Sequence, residues 1–573
     1  MGMLDDVRLG EAEERAEAES LAGIAETPTY FGPSESPLFG FVHAPSDGRV
    51  RGGVIICGSL GKDHADNLRG LRVFADRLAQ KRILALRFDY LGCGDSAYGQ
   101  LRDTAVGDWQ ASIGHAIDYL RSAGIDDLSA VGVRAGCLIL HQALESGAPV
   151  SRVAYWDPVS TGRRYLREQT AFFKMSAGED DVPPGVVSTI GARFSAPAAA
   201  ELSALKLSPF PDSLDRFIVG RTGSADQQLT SLIGDGCTES VAIDGLEDCA
   251  QPTQLITQTS WQAIDLIVDW LDRQLPAALT TARPVYSSSA WIPGENGGSV
   301  FERIERIAPQ GLFAIRTLPA DDGDTPVQRP TVAFFSHGLA PHQGPNREWV
   351  ELSRAVAAAG GNALRWDRRM VGESGTARAG EEIRIYSPEG IQDALAVTRQ
   401  ARQGARRLQL VGMCSGAWFA ALSALESGSD SVVLANQLQW SRRVKKSLRL
   451  PVQPGDDDGQ DWEQTPRART RRVLQRFLPA TAWSGLGLTG AVQAPSLTLG
   501  PLARRGLPTT VILCSRDLQL FRANRGDVAL RRLKRSAAPP TLVASNGDHA
   551  GFHQGVYIPL RAAVLTFITR DAD

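Results

Sequence analysis

Gly412-Met-Cys414-Ser-Gly416 sets a thiol midway between two glycines. The apolar run Leu408 to Val411 precedes it, and Ala417-Trp-Phe-Ala-Ala-Leu-Ser-Ala-Leu follows. The sequence therefore predicts a strand, a sharp turn and a buried helix. Such a turn presents its central side chain while the glycines let the backbones pack closely. It also aims the positive end of the helix at Cys414 and favours the thiolate, the form that attacks a carbonyl. A core cysteine beside a reactive Ser415 is the competing reading, and Ser415 stands off the centre of the turn.

A thiol nucleophile needs a base, and the base an orienting acid. In a strand-turn-helix arrangement of this kind both follow the nucleophile along the chain. Two histidines do so, His549 and His553, in Asn546-Gly-Asp-His549-Ala-Gly-Phe-His553. His549 is the expected base, in the loop just past a strand over Thr541 to Ala544. His553 is expected on the first turn of the last helix as a surface residue. Thr510-Val-Ile-Leu-Cys-Ser-Arg-Asp517 reads as a strand ending in the acid, Asp517, with Asp548 the alternative. An acyl intermediate also requires donors for its oxyanion. The expected donors are the N–H of Ser415 and one from Ser336-His337-Gly338-Leu339, either Leu339 or Gly338. His337 precedes the nucleophile, so it reads as structural.

The elements that must hold these residues occur twice. Val54-Ile-Ile-Cys-Gly-Ser-Leu-Gly pairs with Val332-Ala-Phe-Phe-Ser-His-Gly-Leu. Asp89 with Gly94-Asp-Ser96 pairs with Asp367 with Gly372-Glu-Ser374, and Gly132-Val-Arg134-Ala-Gly136 pairs with the cysteine turn. Asp367 follows Asp89 by 278 residues and Gly412 follows Gly132 by 280, so the register barely drifts and duplication explains it. Strands alternating with helical segments predict an α/β class, each half a mostly parallel sheet flanked by helices. The expected organisation is an N-terminal helical extension (1–25), a first domain (26–278), a linker (279–296) and a second domain (297–573). Segments 160–213 and 440–505 break the pattern and read as helical caps; the second carries Gly455-Asp-Asp-Asp-Gly, a solvated lid segment.

The first half lacks this chemistry. Arg134 stands at the nucleophile position, no histidine occurs between His141 and His337, and Glu247-Asp-Cys249-Ala replaces Gly547-Asp-His549-Ala. Arg134 reads as a salt-bridged remnant, with an anion site the alternative. The first half is thus expected to be a pseudo-domain that supports the second, completes a substrate channel or grips a partner.

The 573 residues suit two domains, and 43% hydrophobic with 22% charged residues and a net charge of −3 describes an ordinary globular protein with no nucleic-acid partner. No stretch reaches the unbroken apolar length of a membrane span and no signal peptide is read, so a cytoplasmic location is expected. Seven scattered cysteines, none in CxxC spacing, predict free thiols, with no disulfide framework and no metal site; no cofactor is expected.

At these residues the chain resembles the α/β-hydrolase superfamily, through S-H-G-L, W-D-x-x-x-x-G-E-S and G-M-C-S-G over nearly the whole second half. A cysteine in the turn is similar to dienelactone hydrolase. Tyr155-Trp-Asp-Pro-Val-Ser-Thr-Gly-Arg-Arg-Tyr-Leu and Leu434-Ala-Asn-Gln resemble segments of the paired hydrolases found with bacterial exosortase systems. The resemblance implies tandem hydrolase domains and, for Cys414, an acyl-enzyme formed from a small-molecule acyl substrate, free or borne on CoA or a carrier protein. Water as acceptor gives an esterase or thioesterase, and an alcohol or amine gives an acyltransferase. A non-catalytic scaffold is the third reading, and a homodimer stays open.

Overall fold

The computed structural model describes residues 23–177, 183–209, 214–223, 229, 238–250, 259–294, 297–320, 328–375, 384–443 and 478–570. Most of the expected N-terminal helix, Cys237 and the Gly455-Asp-Asp-Asp-Gly segment lie outside them. Backbone contacts divide the chain into two compact units, one of residues 1–176, 182–304 and 376–381, the other of 177–181, 305–375 and 382–573.

The first sheet has eight strands: β1 (Ile24–Phe31), β2 (Leu38–Pro45), β3 (Gly52–Cys57), β4 (Ile83–Phe88), β5 (Leu128–Val133), β6 (Arg152–Trp156), β7 (Asp215–Arg221) and β8 (Thr238–Ile243). Their order is β1-β2-β4-β3-β5-β6-β7-β8. β1 and β2 are antiparallel additions at one edge, and the other six run parallel. Helix α1 (Gly61–Gln80) buries Leu71, Phe74 and Leu78 on Val54, Ile56 and Ile83. Ile24 and Ala25, expected in the N-terminal extension, open β1 instead.

The second sheet has nine strands: β9 (Ser289–Pro293), β10 (Ser299–Ile307), β11 (Leu312–Pro319), β12 (Arg329–Phe335), β13 (Asn362–Trp366), β14 (Ala405–Met413), β15 (Ser431–Ala435), β16 (Thr509–Cys514) and β17 (Thr541–Ser545). The order is β9-β10-β11-β13-β12-β14-β15-β16-β17, with β13 through β17 parallel. β12 shows why the central strands read as unbroken apolar runs. Side chains alternate between faces along a strand, and here both faces are covered. Val332 and Phe334 pack with Trp349, Leu352 and Val356 of α2 (Glu348–Ala358) and Leu560 of α3 (Gln554–Thr569). Ala333 and Phe335 pack on the other face with Ala394 and Val397 of the helix Pro388–Arg402 and Ala417 of the helix after the cysteine. Each buried Leu or Phe contributes roughly 1.5–3 kcal/mol.

Two boundaries differ from the sequence reading. The expected linker contains β9, because Ile292 is buried and Ser289 to Pro293 pair with β10. The first cap is not wholly helical: between helices Gly162–Ala177 and Ala196–Ala204 lies a hairpin, Val186–Thr189 with Ala192–Ser195, turned through Gly191 at φ 81°. Of the second cap, helices Ala480–Leu488 and Ser496–Arg504 are described. No described helix is long and apolar enough to cross a membrane.

The repeated Asp and G-[DE]-S turns have a structural explanation. Asp367 accepts the Glu373 N–H (2.9 Å), and Ser374 Oγ donates to the Asp367 carbonyl (2.7 Å) while accepting the Phe313 N–H (2.8 Å). In the first unit Asp95 N–H, Ser96 Oγ and Phe39 N–H repeat these bonds around Asp89. The turns thus close a strand end.

Candidate active site

Cys414 lies between β14 and the helix Ser415–Ala424, at φ 50° and ψ −113°. Every residue of that helix is buried, so its all-round apolar sequence suits a helix with no solvent face. The two glycines are required by close approach. A Cβ on Gly416 would sit 2.0 Å from the Phe335 carbonyl oxygen, and one on Gly412 would sit 2.3 Å from the Gly416 carbonyl oxygen.

The structure brings the three sequence-predicted side chains together. His549 Nε2 is 3.2 Å from Cys414 Sγ, and His549 Nδ1 is 2.6 Å from Asp517 Oδ2. Asp517 is 2% exposed and lies in the first turn of the helix Ser515–Ala523, three residues beyond the strand it was expected to end. Burial by itself disfavours the His549 imidazolium; the neighbouring Cys414 charge and the Asp517 hydrogen bond outweigh it and push the pKa up to about 10.

Asp548 and His553 take other parts. Asp548 accepts the N–H groups of Ala550 (3.0 Å) and His553 (2.7 Å), so it shapes the loop. His553 is a buried N-cap of α3, not a surface residue, since its Nδ1 accepts the Gly555 N–H at 3.0 Å.

Two asparagines to which the sequence reading gave no role hold the His549 loop. Asn436, fully buried at φ 47° after β15, donates from Nδ2 to the carbonyls of Asp548 (2.8 Å) and His549 (3.0 Å) and accepts the Cys514 N–H (2.9 Å). Asn346 Nδ2 donates to Phe552 O (2.6 Å) and, more weakly, to Gly551 O (3.4 Å). Both sit in the left-handed region, which asparagine enters more readily than most residues. The signals for Asn436 were a short apolar strand followed by Asn and the resemblance carried by Leu434-Ala-Asn-Gln.

The loop after β12 approaches the nucleophile turn. Gly338, the alternative to Leu339 as the oxyanion donor of this loop, gives its N–H to Ser415 Oγ (2.8 Å). The amides of Leu339 and Ser415 have no acceptor among the described residues. His342, in the same loop, forms a buried pair with Asp367, Nδ1 to Oδ2 2.8 Å. Arg368 and Tyr386 also adjoin the site. Burial pulls the Arg368 guanidinium down to about 10, still charged at neutral pH, and it feels the Cys414 charge. Burial and the adjacent Cys414 hold the Tyr386 phenol well above the usual range.

In the first unit the corresponding turn keeps its shape: Arg134 has φ 53° and ψ −119°. Its guanidinium meets Asp63 (3.1 Å), Asp157 (3.3 Å) and Glu168 (3.3 Å), and Arg221 also pairs with Asp157 (2.6 Å). An ionic cluster of two arginines and three carboxylates therefore surrounds the position that Cys414 holds in the second unit, as the salt-bridged reading of Arg134 anticipates.

No family model matches the chain, and no curated protein sequence matches it. Among solved structures, it is similar to Est1E from Butyrivibrio proteoclasticus, at 16% identity over 43% of this chain and 96% of that one, TM-score 0.32. It is also similar to a thermostable esterase from Pseudomonas putida (17%, 47% and 81%, TM-score 0.28) and to the esterase Est2 from Thermogutta terrifontis (18%, 46% and 91%, TM-score 0.30).

Proposed function

We propose that this chain is a tandem α/β-hydrolase-type protein whose second unit hydrolyses an ester or thioester through a Cys414 acyl-enzyme, the first unit having lost that chemistry. The observation that carries the reading is the position of His549, bonded on one ring nitrogen to Asp517 and on the other to the Cys414 sulfur. In this mechanism the Cys414 proton passes to His549 Nε2. The sulfur then attacks the carbonyl carbon, an S–C bond forms, and the carbonyl electron pair moves onto oxygen. The Ser415 and Leu339 amides are the donors for that oxyanion. Its collapse breaks the bond to the alkoxide or thiolate leaving group, which takes the proton from His549. Water then gives a proton to His549 and attacks the thioester. Release of the carboxylic acid returns the proton to sulfur. Asp517 holds the imidazole in the required tautomer and stabilises its cation.

The test is steady-state hydrolysis of p-nitrophenyl butyrate and butyryl-CoA. Loss of a nucleophile or its base typically removes several orders of magnitude of turnover. Cys414→Ala and His549→Ala are therefore expected to fall at least about 10³-fold. Wild-type turnover that persists in Cys414→Ala would move the nucleophile elsewhere. Adding alcohols or amines and measuring transfer products separates hydrolysis from acyl transfer.

A further inference from the structure

We infer that Arg368 is a positioning residue that sets the direction of the Leu339 N–H, the oxyanion donor supplied by the loop after β12. This rests on the reading of Cys414 as the acylated nucleophile and adds a residue that neither the turn nor its base identifies.

The observation is a set of three backbone contacts. Arg368 Nη2 donates to Gly338 O at 2.7 Å, and Nη1 donates to Arg384 O and Ile385 O, each at 2.9 Å. The guanidinium also lies 5.9 Å from the Phe419 ring centroid, over the nucleophile helix. Among the described residues no carboxylate forms a salt bridge with it, unlike Arg369 beside it, which pairs with Asp393. A half-buried cation whose hydrogen bonds all go to carbonyl oxygens holds those carbonyls in place.

The carbonyl of Gly338 and the N–H of Leu339 belong to one planar trans peptide, and they point in opposite directions. Fixing the oxygen therefore fixes the N–H. The position requires fixing, because Gly338 has φ 49° and glycine readily adopts other conformations, which would turn this amide away. On the other side of Gly338, Ser415 Oγ accepts its N–H at 2.8 Å, so the residue is held at both of its backbone polar groups. A charged donor on the oxygen also polarises the peptide, which strengthens its N–H as a donor to a developing negative charge.

The experiment compares two reactions of the same sulfur in the full-length protein. Acylation by p-nitrophenyl acetate passes through an oxyanion. Alkylation by iodoacetamide displaces iodide at a saturated carbon and makes none. Removal of one oxyanion donor typically costs about 10²–10³-fold in rate. Arg368→Lys keeps the charge but loses the planar fork. Its acylation rate is expected to fall at least tenfold, with alkylation, measured on its high-pH plateau, within about threefold of wild type. Retained alkylation also shows that the turn is folded. Ser415→Ala, which releases the other side of Gly338, is expected to show the same split. A parallel loss of both reactions, or no loss of acylation, overturns the inference. Wild-type protein that is alkylated at Cys414 but never acylated refutes the underlying reading and takes this inference with it.

Discussion

At the scale of single residues His549 stands between the Cys414 sulfur, 3.2 Å from Nε2, and the Asp517 carboxylate, 2.6 Å from Nδ1. The imidazole is raised because a charged sulfur and a buried carboxylate outweigh its own desolvation. In Cys414→Ala the sulfur's part is gone, so the His549 titration, followed by NMR of the ring carbon-bound protons, is expected to move down from about 10. A raised pKa keeps the imidazolium populated until the pH climbs through that value. The acylation step, which needs this proton for the leaving group, is therefore expected to hold to about pH 9 and fall as the pH rises through 10, as read from initial rates. An unchanged His549 titration in Cys414→Ala would contradict the pairing of Cys414 with His549. Asn436→Ala removes the amide that holds the Asp548 and His549 carbonyls. It is expected to lower kcat by about tenfold or more with a smaller change in KM, since the base is misplaced and not deleted.

At the scale of elements, what matters is that two backbones approach within one glycine's width. Gly416→Ala would drive a methyl into the Phe335 carbonyl. The expected cost is about 2–4 kcal/mol in urea unfolding, the range of overpacking with strain. Activity should be lost with it, because the turn cannot re-form without shifting β12. The elements themselves were legible in the sequence. Apolar runs marked β12, β14 and β16, glycine spacing marked the turn, and chain order selected Asp517 and His549. The roles of Asn436, Asn346, Arg368 and Tyr386 were not legible. Each reaches the site through strand order and loop closure, and neither their spacing nor their local pattern encodes a neighbour tens of residues away. The choice between Leu339 and Gly338 was left open for a related reason. Sequence gives the loop two amides, and only the position of Ser415 Oγ shows that one is occupied.

At the scale of the whole molecule, the two units keep the same turn geometry with opposite contents. One has a thiol beside an imidazole, and the other an arginine among carboxylates. Removing one partner from a buried ionic cluster typically costs about 3–5 kcal/mol. Arg134→Met should therefore lower the resistance of first-unit peptides to hydrogen exchange while the acylation rate at Cys414 stays the same. Equal protection in that variant would show that the cluster does not stabilise its unit. One thiol, Cys414, is the proposed acceptor of the acyl group. The most direct measurement is acid-quenched mass spectrometry after brief exposure to butyryl-CoA, intact and then by peptide. One acyl group per chain is expected, on the peptide holding Cys414, and none in Cys414→Ala; an adduct at another residue, or one that survives that substitution, would contradict Cys414 as the acylated nucleophile.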